Sequence, residues 1–264
     1  MKCKLCEKSF PKLAKSHIFP KGFFAQLENK AHMRSLGARG GRNLPSALYD
    51  RDILCHGCET KVFSPLDDYA IKILRDKDKA EKVQFKKTNA ALYIYDEICL
   101  RTLRAFVASL IWRVSVSKLK ELSSVKLNHS YVRRIKTDLR RPDSNFEYID
   151  AVFCFLRHEI HSGFVMPYRK RLYPKDLRRN KIPVKGWFLG MPNLVIIASV
   201  DTKRHPLRGY YSFAPELTGK NHHWEVTTGL GDKISEYSFA ILEQERSDVI
   251  EESMISIIDQ EFNR

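Results

Sequence analysis

The spacing of apolar positions changes twice along the chain. Up to about residue 63 it keeps no regular period, and turn formers and positive charge dominate. That is the pattern of a small unit held by a metal ion rather than by a core. Within it, Leu36-Gly37-Ala38-Arg39-Gly40-Gly41-Arg42-Asn43 reads as a flexible basic loop. From Pro65 the spacing turns helical, with Leu66, Tyr69, Ile73 and Leu74 near helical intervals. After a polar link at 76–82, Leu100, Leu103, Val107, Leu110 and Val114 repeat at three and four, and Cys99, Phe106 and Ile111 widen the stripe. A basic helix is expected over 130–140, closed by Pro142. The period then falls to short apolar or aromatic runs at 148–156, 163–168, 187–191, 194–200 and 210–213, bounded by Gly, Pro and Asn. These predict strands of one mostly antiparallel sheet. A last helix is expected after Ser247, with Ile250, Met254, Ile257 and Ile258 on one face. The expectation is an α+β chain in three parts: a metal-held module over 1–63, a helical region over 64–142 and an α+β domain over 143–264.

Composition narrows the setting. Of 264 residues, 43% are hydrophobic and 29% charged, which suits a chain that buries a substantial core. The longest charge-free run in the most apolar segment is 105–112, far short of the ~20 residues of a spanning helix. Met1-Lys2-Cys3-Lys4 leads into cysteines and charge without an apolar signal region, so a cytoplasmic location is expected and no membrane partner. The net charge of +15 is tolerated most easily beside a polyanion, and the pairs Arg133-Arg134, Arg140-Arg141 and Arg178-Arg179 are among its concentrations. Nucleic acid is the expected partner.

Four of the six cysteines form two matched pairs, Cys3-x-x-Cys6 and Cys55-x-x-Cys58. In a reducing compartment such spacing points to metal or catalysis. Four thiolates are the preferred set for a closed tetrahedral zinc site, and the 48 residues between the pairs require an insertion between the two knuckles. Cys99 and Cys154 lie in apolar runs and read as small buried hydrophobes.

The segments beside the knuckles are Lys15-Ser16-His17-Ile18-Phe19-Pro20 and Tyr49-Asp50-Arg51-Asp52-Ile53-Leu54-Cys55-His56-Gly57-Cys58-Glu59. Over 1–63 the chain resembles the HNH endonucleases of the treble-clef, or ββα-metal, type. In that family a Cys-x-x-Cys knuckle precedes a strand with an Asp-His-Ile-Ile-Pro-like motif, and a second strand and knuckle follow. The resemblance implies that His17 is the general base activating water for attack on a phosphodiester. It implies that Glu59 helps hold a catalytic Mg²⁺ or Mn²⁺, and that Asp50 orients His17 or completes the metal shell. Zinc on Cys3, Cys6, Cys55 and Cys58 would be structural. Three positions depart from the family: Ser16 stands for the metal-binding Asp, Asp50 for the central Asn and Glu59 for the final His.

The function expected is hydrolysis of DNA, in a setting such as defence against foreign DNA, with Arg39, Arg42, Arg51 and Lys61 as phosphate-contacting residues. DNA is preferred over RNA. Zinc-dependent binding without hydrolysis and cleavage of RNA are the alternatives, and the C-terminal part is left for a protein partner or a second copy. The bland readings are that His17 is a strand histidine, Asp50 a turn residue and Glu59 a charge suited to a helix start. Other chemistries find no motif: His158-Glu159-Ile160-His161 is one residue short of a His-Glu-x-x-His zinc site, and no Walker loop or dinucleotide fingerprint is present.

Overall fold

The computed structural model describes residues 1–25, 33–37, 40–44, 48–75, 81–84, 91–95, 99–122, 127–155, 162–172, 182–191, 194–200 and 224–228. Arg39, the strand expected at 210–213 and the helix expected after Ser247 lie outside them.

The N-terminal module is built on a short antiparallel hairpin, β1 (Ser16–His17) against β4 (Tyr49–Asp50). A 3-10 turn at Lys21–Phe24 follows β1. Gly22 sits there against α2 (Ser64–Leu74), where a β-carbon would come within 2.5 Å of the Ile71 side chain, so glycine permits the approach. After β4 the chain enters α1 (His56–Cys58), a π-type turn at Glu59–Phe63, and α2. Pro65, in the first turn of α2, follows directly on the π-type turn.

The segment carrying the longest apolar stripe forms α3 (Leu100–Val116). Residues 105–114 of it are all buried, with Phe106, Leu110 and Trp112 at 0% exposure, so α3 is a central helix rather than a one-sided surface helix. It packs between α2 and α4 (His129–Leu139), and Phe63 meets Trp112 with ring centroids 5.7 Å apart. The start of α4 is set by Asn128, whose side-chain oxygen accepts from the Ser130 N–H at 3.1 Å. No helix among the described residues is long and apolar enough to cross a membrane.

A nine-stranded sheet has the order β3-β2-β8-β9-β10-β7-β11-β6-β5. Its central strands are β7 (Asp150–Phe155), β8 (Ser162–Leu172), β9 (Ile182–Met191) and β10 (Leu194–Ser199). β10 pairs antiparallel with both β7 and β9, opposing Ile196 to Phe153 and to Leu189. Leu194, Ile196 and Ala198, which share one face of the strand, are buried. β5 (Glu81–Gln84) and β6 (Ala91–Tyr95) form one edge, joined to β7 through β11 (Trp224–Thr228). The other edge is the hairpin β2 (Met33–Gly37) and β3 (Gly40–Leu44), with Gly37 opposite Gly40. The glycine-rich stretch read as a loop is therefore largely strand. Its glycines hide the alternation, and β2 finds a partner distant in sequence, pairing parallel to β8.

Among the described residues a buried ion pair joins two helices. Arg113 of α3 is 0% exposed and forks onto Asp67 of α2, Nη2 to Oδ1 at 2.6 Å and Nη1 to Oδ2 at 2.9 Å. Nη2 also donates to Ser109 Oγ at 3.2 Å. Removing one member strands the other charge in a dry interior. Asp67→Ala is expected to lower stability by about 3–5 kcal/mol, read as a shift of the urea midpoint. A change within experimental error would show that the pair carries no such weight.

Candidate metal centre and adjoining histidine

Each knuckle is shaped by backbone bonds. In the first, the Cys3 N–H donates to the Lys8 carbonyl at 3.0 Å and the Glu7 N–H to the Cys3 carbonyl at 2.9 Å. Glu7 adopts φ 63°, the left-handed turn conformation that folds the chain back. In the second, Cys55 is the extended residue before α1, and the Glu59 N–H closes on the Cys55 carbonyl at 3.0 Å. Two bonds stitch the halves together, Lys4 N–H to the Ile53 carbonyl and Ala14 N–H to the Leu54 carbonyl, both 2.8 Å. Ile53 and Leu54 are wholly buried beneath them.

These constraints bring the four thiols of Cys3, Cys6, Cys55 and Cys58 within 4.8 Å of one another. Cys6 Sγ and Cys55 Sγ are 3.8 Å apart. A regular tetrahedron with Zn–S bonds of about 2.3 Å has edges of about 3.8 Å, so the donor set fits a zinc ion in chemistry and in spacing. Burial alone would raise the Cys3 thiol. Hydrogen bonds from the backbone of Cys55, Cys6 and Leu5 and from the Cys6 side chain outweigh it and bring Cys3 to about 7. Burial and the neighbouring sulfurs push Cys58 up instead. Four crowded sulfurs cannot all be thiolates without a cation among them.

The hairpin register sorts the remaining residues by face. Ser16 pairs with Asp50 and His17 with Tyr49. Partners in an antiparallel pair share a face and chain neighbours do not. Ser16 and Asp50 are accordingly buried, while His17 and Tyr49 are half-buried. The His17 and Tyr49 rings meet edge-on, centroids 6.2 Å apart. Asp50 turns away from the imidazole. Its carboxylate accepts from the Asp52 N–H at 2.8 Å, the Ser117 hydroxyl at 2.6 Å and the Lys118 N–H at 3.3 Å. It thus pins the chain leaving α3 to the hairpin.

Glu59 lies on the Ser16 side. The buried Ser16 hydroxyl donates to Glu59 Oε2 at 2.7 Å. Burial raises the Glu59 carboxyl above its ordinary value, opposed by that bond and by the charge of Arg113. Ser16 and Glu59 are thus in direct contact, as hydroxyl and carboxylate. Among the described residues the four cysteines are the group of three or more metal-binding side chains close enough to share an ion, and His17, Asp50 and Glu59 do not form a second.

Around the imidazole the field is positive. Lys15 Nζ lies 3.9 Å from the Tyr49 ring centre and the Arg51 guanidinium 5.6 Å from it. Arg113 Nη1 donates to the His17 carbonyl at 2.7 Å. Burial first, then the charges of Lys15, Arg113 and Lys21, hold the His17 pKa below 6.5. Arg51 and Lys61 are exposed, Arg42 lies in β3, and Arg39 is outside the described residues. Sequence reading missed Arg113, Asp67 and Tyr49. The available signal was a guanidinium and a hydroxyl four residues apart, Ser109 and Arg113, inside an otherwise apolar helix.

Elemental analysis of the purified chain is expected to find zinc. Cys55→Ser is expected to lose it and to open 1–63 to protease, since binding of the ion supplies folding free energy. Retained zinc in that variant would contradict the four-sulfur assignment. No family model, no characterised protein and no solved structure matches the chain, so the chemistry of this centre is read from its own residues.

Proposed function

We propose that the protein is a metal-dependent endonuclease of HNH type that hydrolyses DNA, with His17 as general base. The observation that carries this reading is the placement of His17: half-buried on a strand pair fixed to the four-cysteine cluster, and held below the ordinary histidine pKa by burial and by the charges of Lys15, Arg113 and Lys21. A neutral imidazole at cellular pH can take a proton from water, and the surrounding cations favour an approaching phosphodiester. Glu59, partly exposed where the helical run after the second knuckle begins, offers a carboxylate to a hard cation, and the buried Ser16 hydroxyl orients it. That cation, when bound, supplies charge stabilisation at the phosphate and the leaving oxygen. Asp50 contributes by fixing the strand rather than by touching the imidazole. Cleavage of RNA calls on the same residues.

A second reading, binding without hydrolysis, draws on the Ser16–Glu59 hydrogen bond, which already engages the carboxylate. Incubation of plasmid DNA and of total RNA with Mg²⁺ or Mn²⁺ separates the readings and identifies the substrate. Cutting by the wild type should fall about 10²–10⁴-fold in His17→Ala, the range for loss of a general base. Binding of both nucleic acids with cleavage of neither would favour the second reading. The pH profile adds a sign. Protonation silences the base, so the rate should rise as pH climbs through the His17 pKa, with the acid limb displaced below that of an ordinary histidine by burial and by the charges of Lys15, Arg113 and Lys21. Lys15→Ala removes a positive neighbour, which raises the His17 pKa and should move the acid limb to higher pH. An unmoved limb would assign it to another group.

A further inference from the structure

Helix α4 lies outside the hairpin and its histidine, and its charge has no use in the chemistry above. Arg133, Arg134, Lys136, Arg140 and Arg141 follow one another on or just beyond it, set against the single carboxylate Asp138. Asp138 is occupied elsewhere, accepting from the Tyr148 hydroxyl at 2.8 Å and from the Ser144 hydroxyl at 3.3 Å. Ile135 and Leu139 fix the opposite face in the core. Arg133, Arg140 and Arg141 are exposed and form no ion pair among the described residues. Arg134 is held flat over the Tyr148 ring, 3.8 Å from its centre.

This face continues into the first zinc knuckle. Lys136 Nζ meets Glu7 Oε1 at 2.8 Å, and Glu7 feels the charges of Lys2 and Arg140 as well. Beside the knuckle is a groove of about 580 Å³ that Lys2, Lys4 and Lys118 line against Glu7 and Asp52. Arg133, Arg140 and Arg141 are thus guanidiniums unpaired among the described residues, gathered along α4 and just past its end. Duplex nucleic acid carries about one phosphate per 1.7 Å of axis, a density of negative charge that such a cluster can neutralise.

We propose that the outer face of α4 and the exposed Lys2 of the first knuckle together form a second surface that grips the sugar-phosphate backbone of a nucleic acid; Lys4 beside it is turned inward onto the Val116 carbonyl. The proposal rests on the nucleic-acid part of the preceding reading and not on hydrolysis. The surface carries no base-reading pattern, so its contribution is affinity and positioning rather than sequence choice. It would also tie the zinc cluster to function, because the knuckle turn that places Glu7 is what joins the two halves.

The test uses the full chain carrying His17→Ala, so that binding is read without cutting. Fluorescence anisotropy with a labelled DNA duplex is followed across salt concentrations. Substituting Arg133→Gln, Arg140→Gln and Arg141→Gln together should weaken binding at least about tenfold near 0.1 M salt and flatten the log Kd against log salt slope by about 2–3, at about 0.9 per lost phosphate contact. A charge-matched control, Lys72→Gln with Arg75→Gln and Arg101→Gln, should change both much less. Equal losses in the two variants would mean that only net charge matters, and an unchanged slope in the α4 variant would mean that α4 touches no phosphate. Either overturns the proposal. So would polyglutamate displacing the duplex as well as unlabelled DNA does, which would mark the surface as one for an acidic protein. Cleavage activity plays no part in any of these outcomes, so the two readings fail independently.

Discussion

The buried guanidinium of Arg113 is the contact on which the N-terminal half depends. It stands in α3, wholly out of solvent, and its two terminal nitrogens reach three other parts of the chain: the Asp67 carboxylate of α2, the carbonyl of His17 on β1, and Ser109 one turn back. A helix carrying a permanent charge through an apolar interior is costly unless every donor finds an acceptor. The fork of guanidinium onto carboxylate meets most of that demand, and the His17 carbonyl takes a further share. The same contact sets the height of β1 against the helices. His17 is held from behind, through its backbone, by a group that also lowers its tendency to take a proton.

The four cysteines perform the complementary task from the other side. Their sulfurs gather at the spacing of a tetrahedral zinc site, and two backbone bonds from the first knuckle secure the segment that leads into the second. A two-residue hairpin has little intrinsic stability. It persists here because one end is sewn to the cysteine cluster and the middle is pinned by Arg113 and Asp50. Rigidity around His17 thus comes from contacts beyond the two short strands.

What the sequence revealed follows from how local each signal is. Paired thiols two residues apart announce a metal site because the knuckle is a local structure, and the stripe from Leu100 to Val114 marks α3 because helical contacts recur within a few residues. Asp50 was assigned by its count from Cys55. Counting places a residue along a strand but not on a face; pairing with Ser16 turns it inward, toward Ser117. Arg113 gave little warning because its partners lie 46 and 96 residues away, and no periodicity encodes such contacts. The β2–β3 hairpin was hidden for a related reason. Its glycines carry no alternation, and its place in the sheet comes from β8, far along the chain.

The central proposal is that Glu59, bonded to Ser16 on the strand that carries His17, can hold a divalent cation. Side-chain histidine resonances of the zinc-loaded protein, titrated with Mn²⁺, test it directly, since paramagnetic broadening falls off steeply with distance. The account predicts that the His17 signals broaden first while those of the exposed His129 on α4 persist, and that Glu59→Ala removes the effect. Uniform broadening of all histidines, or broadening of His17 that survives loss of Glu59, would contradict it.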